Sequence, residues 1–241
     1  MARLTYDRAH EIAREGSSIW GYRFVRVLLV PIFRILFAMR VSGLENVPAK
    51  GAAVIAPNHK SFWDGFFIAA VAPRRVFFMG KSELFEGPQG RFLLWLGGFP
   101  VKRGQSDGEA IETAMAILRR GDLLSLFPEG TRVKDPEALG SPRKGAARIA
   151  IETGAPIVPC AITGTEKRRL PLPRKVQVTF GEPIPVSGLD ATPEDAGELM
   201  DELVWPAIAE DYHSLRARPG LIVAGLAAVG LGIAVRQIRK R

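Results

Sequence analysis

The chain predicts an α/β fold in which a largely parallel central sheet is flanked by helices. Two observations carry that expectation. From about residue 42 onward, short apolar runs alternate with stretches of helical periodicity, and strands interleaved with helices assemble into a parallel sheet. With 241 residues, 47% of them hydrophobic, the chain can also bury a substantial core.

The elements follow in order. Residues 19–40 are apolar and aromatic, broken by Arg23, Arg26, Arg34 and Arg40. On a helical wheel these four fall within about a third of the circumference, a pattern suited to a helix lying in a lipid interface. Pro31 is expected to kink or divide that helix. Residues 52–56 read as a buried strand, 61–71 as a helix with Ser61 as its N-cap, 75–79 as a strand and 99–101 as a short strand. Ser106 and Glu109 form a capping-box pattern that starts a helix to residue 119, closed by Gly121. Residues 123–127 read as a strand, 144–152 as a helix stopped by Gly154, and 157–162 and 176–180 as strands. Thr192 and Pro193 begin a helix running toward Tyr212.

The chain carries 33 Lys and Arg against 25 Asp and Glu, a formal charge of +8. A basic surface favours anionic partners. The basic residues sit among apolar segments, which points to an anionic membrane surface, and no nucleic-acid signature is present. The single Cys160 excludes an intrachain disulfide, fits a reducing, cytosol-facing location and reads as a core residue. Residues 220–235 carry no charge and are followed by Arg236, Arg239, Lys240 and Arg241. As a helix they would span about 24 Å, short of a hydrocarbon core of about 30 Å. A re-entrant or interfacial anchor is expected there, with a span under local bilayer thinning, or packing against the N-terminal segment, as the alternatives. The chain divides into a membrane-associating segment (1–40), a main domain (41–215) and a C-terminal anchor with a basic tail (216–241).

Two segments bear the chemistry. Asn58-His59-Lys60-Ser61-Phe62-Trp63-Asp64 sets an imidazole and a carboxylate five positions apart. Imidazole is mostly neutral and able to take a proton near neutral pH, and Asp64 in reach could fix its tautomer. Ser61-x-x-Asp64 is equally a helix-capping pattern, so this segment alone leaves both roles open. Phe127-Pro128-Glu129-Gly130-Thr131-Arg132 places a turn at a strand end, where α/β proteins hold ligands. Arg132 can grip a phosphate through two parallel bonds, and Gly130 permits close backbone approach. Glu129, if buried, needs an arginine, a backbone N–H or a substrate hydroxyl as partner. Gly97-Gly98-Phe99-Pro100-Val101-Lys102-Arg103 offers two further cations, and residues 156–162 read as core strand. Phe62, Trp63, Phe66 and Phe67 suit either an acyl-chain groove or the core. His10, His59 and His213 lie too far apart in sequence to suggest a metal site.

These four blocks, in the chain order 58–64, 97–103, 127–132 and 156–162, resemble the lysophosphatidic acid acyltransferase family, the 1-acylglycerol-3-phosphate O-acyltransferases. Lys81-Ser82-Glu83-Leu84 also resembles a segment the family carries between its first two blocks. The resemblance covers about residues 40–190 and implies the glycerolipid acyltransferase fold at a cytoplasmic membrane. It implies His59 as general base and Asp64 as its orienting acid. Arg103, Arg132 and Lys102 would meet the phosphate of a lysophospholipid acceptor. Asn58 and Ser61 would support the loops, Gly130 and Thr131 would line the acceptor site, Thr131 also supporting its loop, and Glu129 would serve acceptor binding or site organisation. The donor is expected to be acyl-coenzyme A or acylated acyl carrier protein, a co-substrate rather than a cofactor. Rival readings are a different glycerolipid or glycolipid acceptor, a non-catalytic lipid-binding protein, and a hydrolase using Ser61, which lacks the Gly-x-Ser-x-Gly elbow.

Overall fold

A computed structural model describes residues 4–16, 19–102, 104, 107–166 and 175–217. The strands are β1 (Arg40–Ser42), β2 (Ala53–Pro57), β3 (Val76–Lys81), β4 (Gly98–Val101), β5 (Leu123–Ser125), β6 (Ile157–Thr163) and β7 (Gln177–Phe180). They form one seven-stranded sheet in the order β1-β7-β6-β2-β5-β3-β4. The run from β6 to β4 is parallel throughout. β7 turns back antiparallel to β6 and carries β1 parallel to itself at the edge. The expected parallel α/β sheet is present, with a reversed pair at one side.

β2 and β6 are buried along their whole length. That is the signature of central strands covered on both faces. Strand alternation separates the two halves of the core. Val54, Ala56, Phe77, Leu124 and Ile157 face helices α5 (Gly108–Arg119), α6 (Gly145–Thr153) and α7 (Pro193–Glu198). Ala53, Ile55, Val76, Leu123 and Val158 face α2 (Ile19–Leu36) and α3 (Asp64–Val71). Helix α4 (Pro88–Trp95) and the N-terminal α1 (Tyr6–Glu15) complete the β4 side. A π-helical turn, Leu199–Val204, joins α7 to α8 (Trp205–Ala217), which packs on β6 through Tyr212 and Leu215.

Several local expectations are corrected. Pro31 neither ends nor divides α2, which runs unbroken through it. Proline removes the bond to the carbonyl four residues earlier. Here that residue is Val27, 76% exposed, so the freed carbonyl is not trapped in the core. Arg40 is not part of the helix: α2 stops at Leu36, Ala38 takes φ 39, and Arg40 opens β1. α3 begins at Asp64 with Trp63 before it, not at Ser61, whose hydroxyl instead accepts from the Trp63 N–H at 3.3 Å. α5 is capped by Asp107, which accepts from Ala110 N–H, one position after the expected Ser106. Thr192 caps α7 as anticipated, accepting from Asp195 N–H at 3.1 Å. No helix among the described residues is long and apolar enough to cross a membrane. The expected anchor at 220–235 lies outside the described residues.

Candidate active site

β2 and β5 are adjacent and parallel, so their C-terminal ends deliver the two motif loops side by side. The first loop leaves the sheet by a specific device. β2 ends at Pro57, paired with Cys160, and the Asn58 N–H adds one further ladder bond, to Cys160 O at 3.3 Å. The Asn58 side chain takes over: its Nδ2 donates to Ile162 O at 3.0 Å and its Oδ1 accepts from Ile162 N–H at 2.7 Å. The amide thus acts as a strand residue and pins the departing chain to β6. His59 is the next residue.

His59 is nearly buried, and its ring stacks on Phe127 with centroids 4.0 Å apart. Nδ1 lies 2.9 Å from Asp64 Oδ2. A carboxylate only accepts, so Nδ1 carries the hydrogen and Nε2 keeps its lone pair. The same Oδ2 accepts the Lys60 and Ser61 N–H groups, both at 2.7 Å. Asp64 is fully buried at the first turn of α3, where the helix dipole also favours its charge. Asp64 thus bonds both the backbone of the helix-entry turn and the imidazole. Asp64 Oδ1 is buried without a hydrogen-bond partner among the described residues.

Glu129 is also buried, and among the described residues it holds backbone alone. Oε2 accepts from His59 N–H at 2.5 Å and Oε1 from Gly140 N–H at 2.7 Å. Burial pushes its pKa up, against the pull of those two N–H groups and of nearby Lys60 and His59. Val133 N–H in turn donates to His59 O at 2.9 Å. Gly130 sits at φ +64, a left-handed value natural to glycine, and the Arg143 guanidinium lies over it: a Cβ there would meet Arg143 Nε at 3.0 Å. Thr131 and Arg132 are exposed, and the Arg132 guanidinium meets no partner among the described residues. It is free for an anionic ligand.

Lys102 follows β4, three strands from β2 at the same edge of the sheet. At a spacing of about 4.8 Å the two strand ends are about 14 Å apart. The Lys102 ammonium lies 4.1 Å from the centroid of the Tyr6 ring. Arg103 lies outside the described residues. The four aromatic candidates divide. Phe67 is core, Phe66 is half-buried, and Phe62 and Trp63 are 41% and 53% exposed beside the histidine loop.

The sequence reading missed Lys60, the variable position of the first motif. It is buried, its ammonium donates to Asp135 O at 2.8 Å and to Ala138 O, and it lies 5.0 Å from the centroid of the Tyr212 ring. Burial lowers its pKa, against nearby Glu129. Tyr212 OH donates to Pro136 O at 2.5 Å, so α8 and Lys60 together clamp the loop that Glu129 holds at Gly140. Arg143 was missed as well. Nothing in the residue pattern marks either position.

A histidine–carboxylate pair at the C-terminal edge of a mostly parallel sheet, with exposed Arg132 and Lys102 on neighbouring loops, is the α/β arrangement the chain presents. Residues 38–163, just over half the chain, match the family described as Acyltransferase, and the chain belongs to that family. It is similar to the 1-acyl-sn-glycerol-3-phosphate acyltransferase of Bacillus subtilis, 31% identical over 166 residues, which cover 68% of this chain and 82% of that protein. It is also 33% identical over 162 residues to the chloroplastic 1-acyl-sn-glycerol-3-phosphate acyltransferase LPAT1 of Arabidopsis thaliana, covering 66% of this chain and 42% of that one. The fold is that of a crystal structure of the 1-acyl-sn-glycerophosphate acyltransferase PlsC from Thermotoga maritima. The TM-score is 0.64 at 24% identity, over 84% of this chain and 83% of that one.

Proposed function

We propose that this protein is a 1-acylglycerol-3-phosphate O-acyltransferase that moves a fatty acyl group from an acyl thioester to the free hydroxyl of lysophosphatidic acid, giving phosphatidic acid. The carrying observation is the His59–Asp64 pair, whose geometry leaves Nε2 as a base; the loop that bears Arg132, unpartnered among the described residues, is tied to His59 by the Val133 N–H. His59 Nε2 takes the hydroxyl proton as the oxygen attacks the thioester carbonyl. The tetrahedral intermediate collapses, the C–S bond breaks, and the imidazolium returns its proton to the departing thiolate. Asp64 holds the tautomer and stabilises the imidazolium. Arg132 takes the acceptor phosphate, with Lys102 and Arg103 as further cations; long cationic side chains and the glycerophosphate itself span the distance between the two strand ends. Glu129 organises the site by fixing the His59 backbone. Acyl-coenzyme A and acyl carrier protein are both donors to test.

The same reading places the protein on an anionic membrane surface. α2 presents Phe24, Val27, Leu28, Ile32, Ile35 and Leu36 outward, with Ile35 79% exposed. Arg23 and Arg34 lie exposed among them. Phe66 lines a cleft with Tyr22 and Arg26 of α2, and packs against the exposed Phe62 and Trp63, so the apolar surface continues to the site. Such a face beside basic residues suits the headgroup–acyl boundary.

The test is thiol release from acyl-coenzyme A with lysophosphatidic acid, wild type beside His59→Ala, with the lipid product identified. Phosphatidic acid from wild type, and a rate lower by three orders of magnitude or so in the variant, is expected. A wild-type-like rate in His59→Ala would end the general-base assignment. No product from wild type with either donor would overturn the acceptor assignment.

A further inference from the structure

Helix α1 lies wholly ahead of the residues that match the acyltransferase family. It is nevertheless built into the β4 side of the molecule. His10 Nδ1 meets Thr113 Oγ1 at 2.9 Å in a buried contact, Arg14 pairs with Glu109 at 2.6 Å, and Arg120 donates to the Ala13 and Arg14 carbonyls at the end of α1. These bonds fix the helix on α5 and bring its first residue, Tyr6, over the segment that follows β4.

There Tyr6 makes two contacts, one on a carboxylate and one on an ammonium. Its hydroxyl donates to Asp107 Oδ2, and its ring faces the Lys102 ammonium at 4.1 Å. Asp107 closes the other side: Oδ2 also accepts Lys102 N–H at 2.7 Å, and Oδ1 accepts Ala110 N–H at 3.2 Å. Burial pushes the Asp107 carboxyl upward, but the bonds from Lys102, Tyr6 and Ala110 hold it below its ordinary value, so it is ionised and a strong acceptor. The arrangement fixes the Lys102 backbone through Asp107 and its side chain through the Tyr6 ring. An aromatic face steadies an ammonium without neutralising it. The ammonium stays available to a ligand, on a cleft of about 240 Å³ that Tyr6, Ser82, Glu86 and Pro100 also line.

We infer that Tyr6 and Asp107 are positioning residues that hold Lys102 for the phosphate of the acceptor, so that the N-terminal helix forms part of the acceptor site. This rests on the proposed function above, in which Lys102 meets that phosphate.

The experiment is a double-mutant cycle on the full chain, with KM for lysophosphatidic acid and for the acyl donor measured separately, kcat, and the unfolding temperature. Lys102→Ala is expected to raise the acceptor KM about tenfold. Tyr6→Phe keeps the ring and loses one bond to a charged group, and is expected to raise the acceptor KM about three- to tenfold, with kcat within twofold and the donor KM unchanged. Asp107→Asn should act in the same direction. In the Lys102→Ala background, Tyr6→Phe should add nothing, since residues acting through one contact are not additive. A Tyr6→Phe effect that persists without Lys102 overturns the inference. So does an unchanged acceptor KM, a rise in donor KM alone, or a parallel fall in kcat and unfolding temperature that marks a merely structural role. An unchanged acceptor KM in Lys102→Ala itself removes the underlying phosphate reading, and this inference with it. That failure is distinguished from the others by appearing in the Lys102 variant alone.

Discussion

Two buried carboxylates flank His59 and hold it in different ways. Asp64 grips the imidazole at Nδ1 and two backbone N–H groups of the same loop. Among the described residues Glu129 grips only backbone, the N–H of His59 and of Gly140 eleven residues beyond itself. The first sets which ring nitrogen is basic; the second sets where the ring stands. Chemically alike side chains, each in a motif, thus act on different quantities. The comparison teaches that a buried acid beside a proposed base is understood by the atoms it bonds rather than by its charge alone.

The largest expected effect tests the Asp64 side. Asp64→Asn keeps the shape, and its amide oxygen can still serve the loop N–H groups. If the amide NH₂ then faces Nδ1, it donates where the carboxylate accepted, and the imidazole shifts its hydrogen to Nε2. A ring with Nε2–H cannot take the hydroxyl proton. A fall in kcat of about 10²- to 10⁴-fold is expected, with acceptor KM little changed and the fold intact by circular dichroism. A fall below tenfold would mean that the pair is a helix-entry device and that proton transfer does not run through His59.

The Glu129 side should be weaker in rate and stronger in stability. Glu129→Gln leaves one oxygen for two N–H groups, so either His59 or Gly140 loses its partner in a buried setting. A loss of about 1–3 kcal/mol in unfolding free energy by urea titration is expected. The fall in kcat should be about tenfold, since the ring keeps Asp64 and its stack on Phe127. If Glu129→Gln instead lowers kcat as far as Asp64→Asn at unchanged stability, Glu129 contacts substrate and the division between the two carboxylates is wrong.

Much of this site was legible because its residues arrive in two contiguous segments, and parallel pairing of β2 with β5 places those segments together. That Asp64 makes both contacts at once was not legible from spacing, since a capping carboxylate and an orienting carboxylate have the same spacing after Ser61. The partners of Glu129 and Lys60 were not legible either. Gly140, Asp135, Ala138 and Tyr212 are brought in by a loop and a distant helix, and no local pattern records such contacts. α1 escaped the reading because its buried face mixes His10 with small alanines. β1 escaped because three residues are too few for any periodicity. The order of strands, and the reversal of β7, depend on which crossovers pack best, a tertiary choice that residue alternation does not encode.

A third half-buried carboxylate supplies the control for the comparison, and the smallest predicted effect. Asp211, on α8, receives no side-chain or backbone N–H among the described residues, and burial, aided by Glu210, pushes its pKa up to about 6 from an ordinary 3.8. A pKa raised on folding means that the folded state binds the proton more tightly. The contribution of Asp211 to stability is therefore fully present below about pH 3.8 and is lost as the pH rises through about 6. Asp211→Asn cannot ionise and should escape that loss. It is expected to be more stable than wild type at pH 7 by about 1–2 kcal/mol, a figure reduced because solvent still reaches the group. The gain should fade toward pH 4, as read by urea unfolding at several pH values. A variant less stable than wild type at pH 7 would show that the charge at Asp211 is favourable. Loss of stability from ionising would then not be the mark of a buried carboxylate without N–H donors, and the donors around Asp64 and Glu129 would need another account.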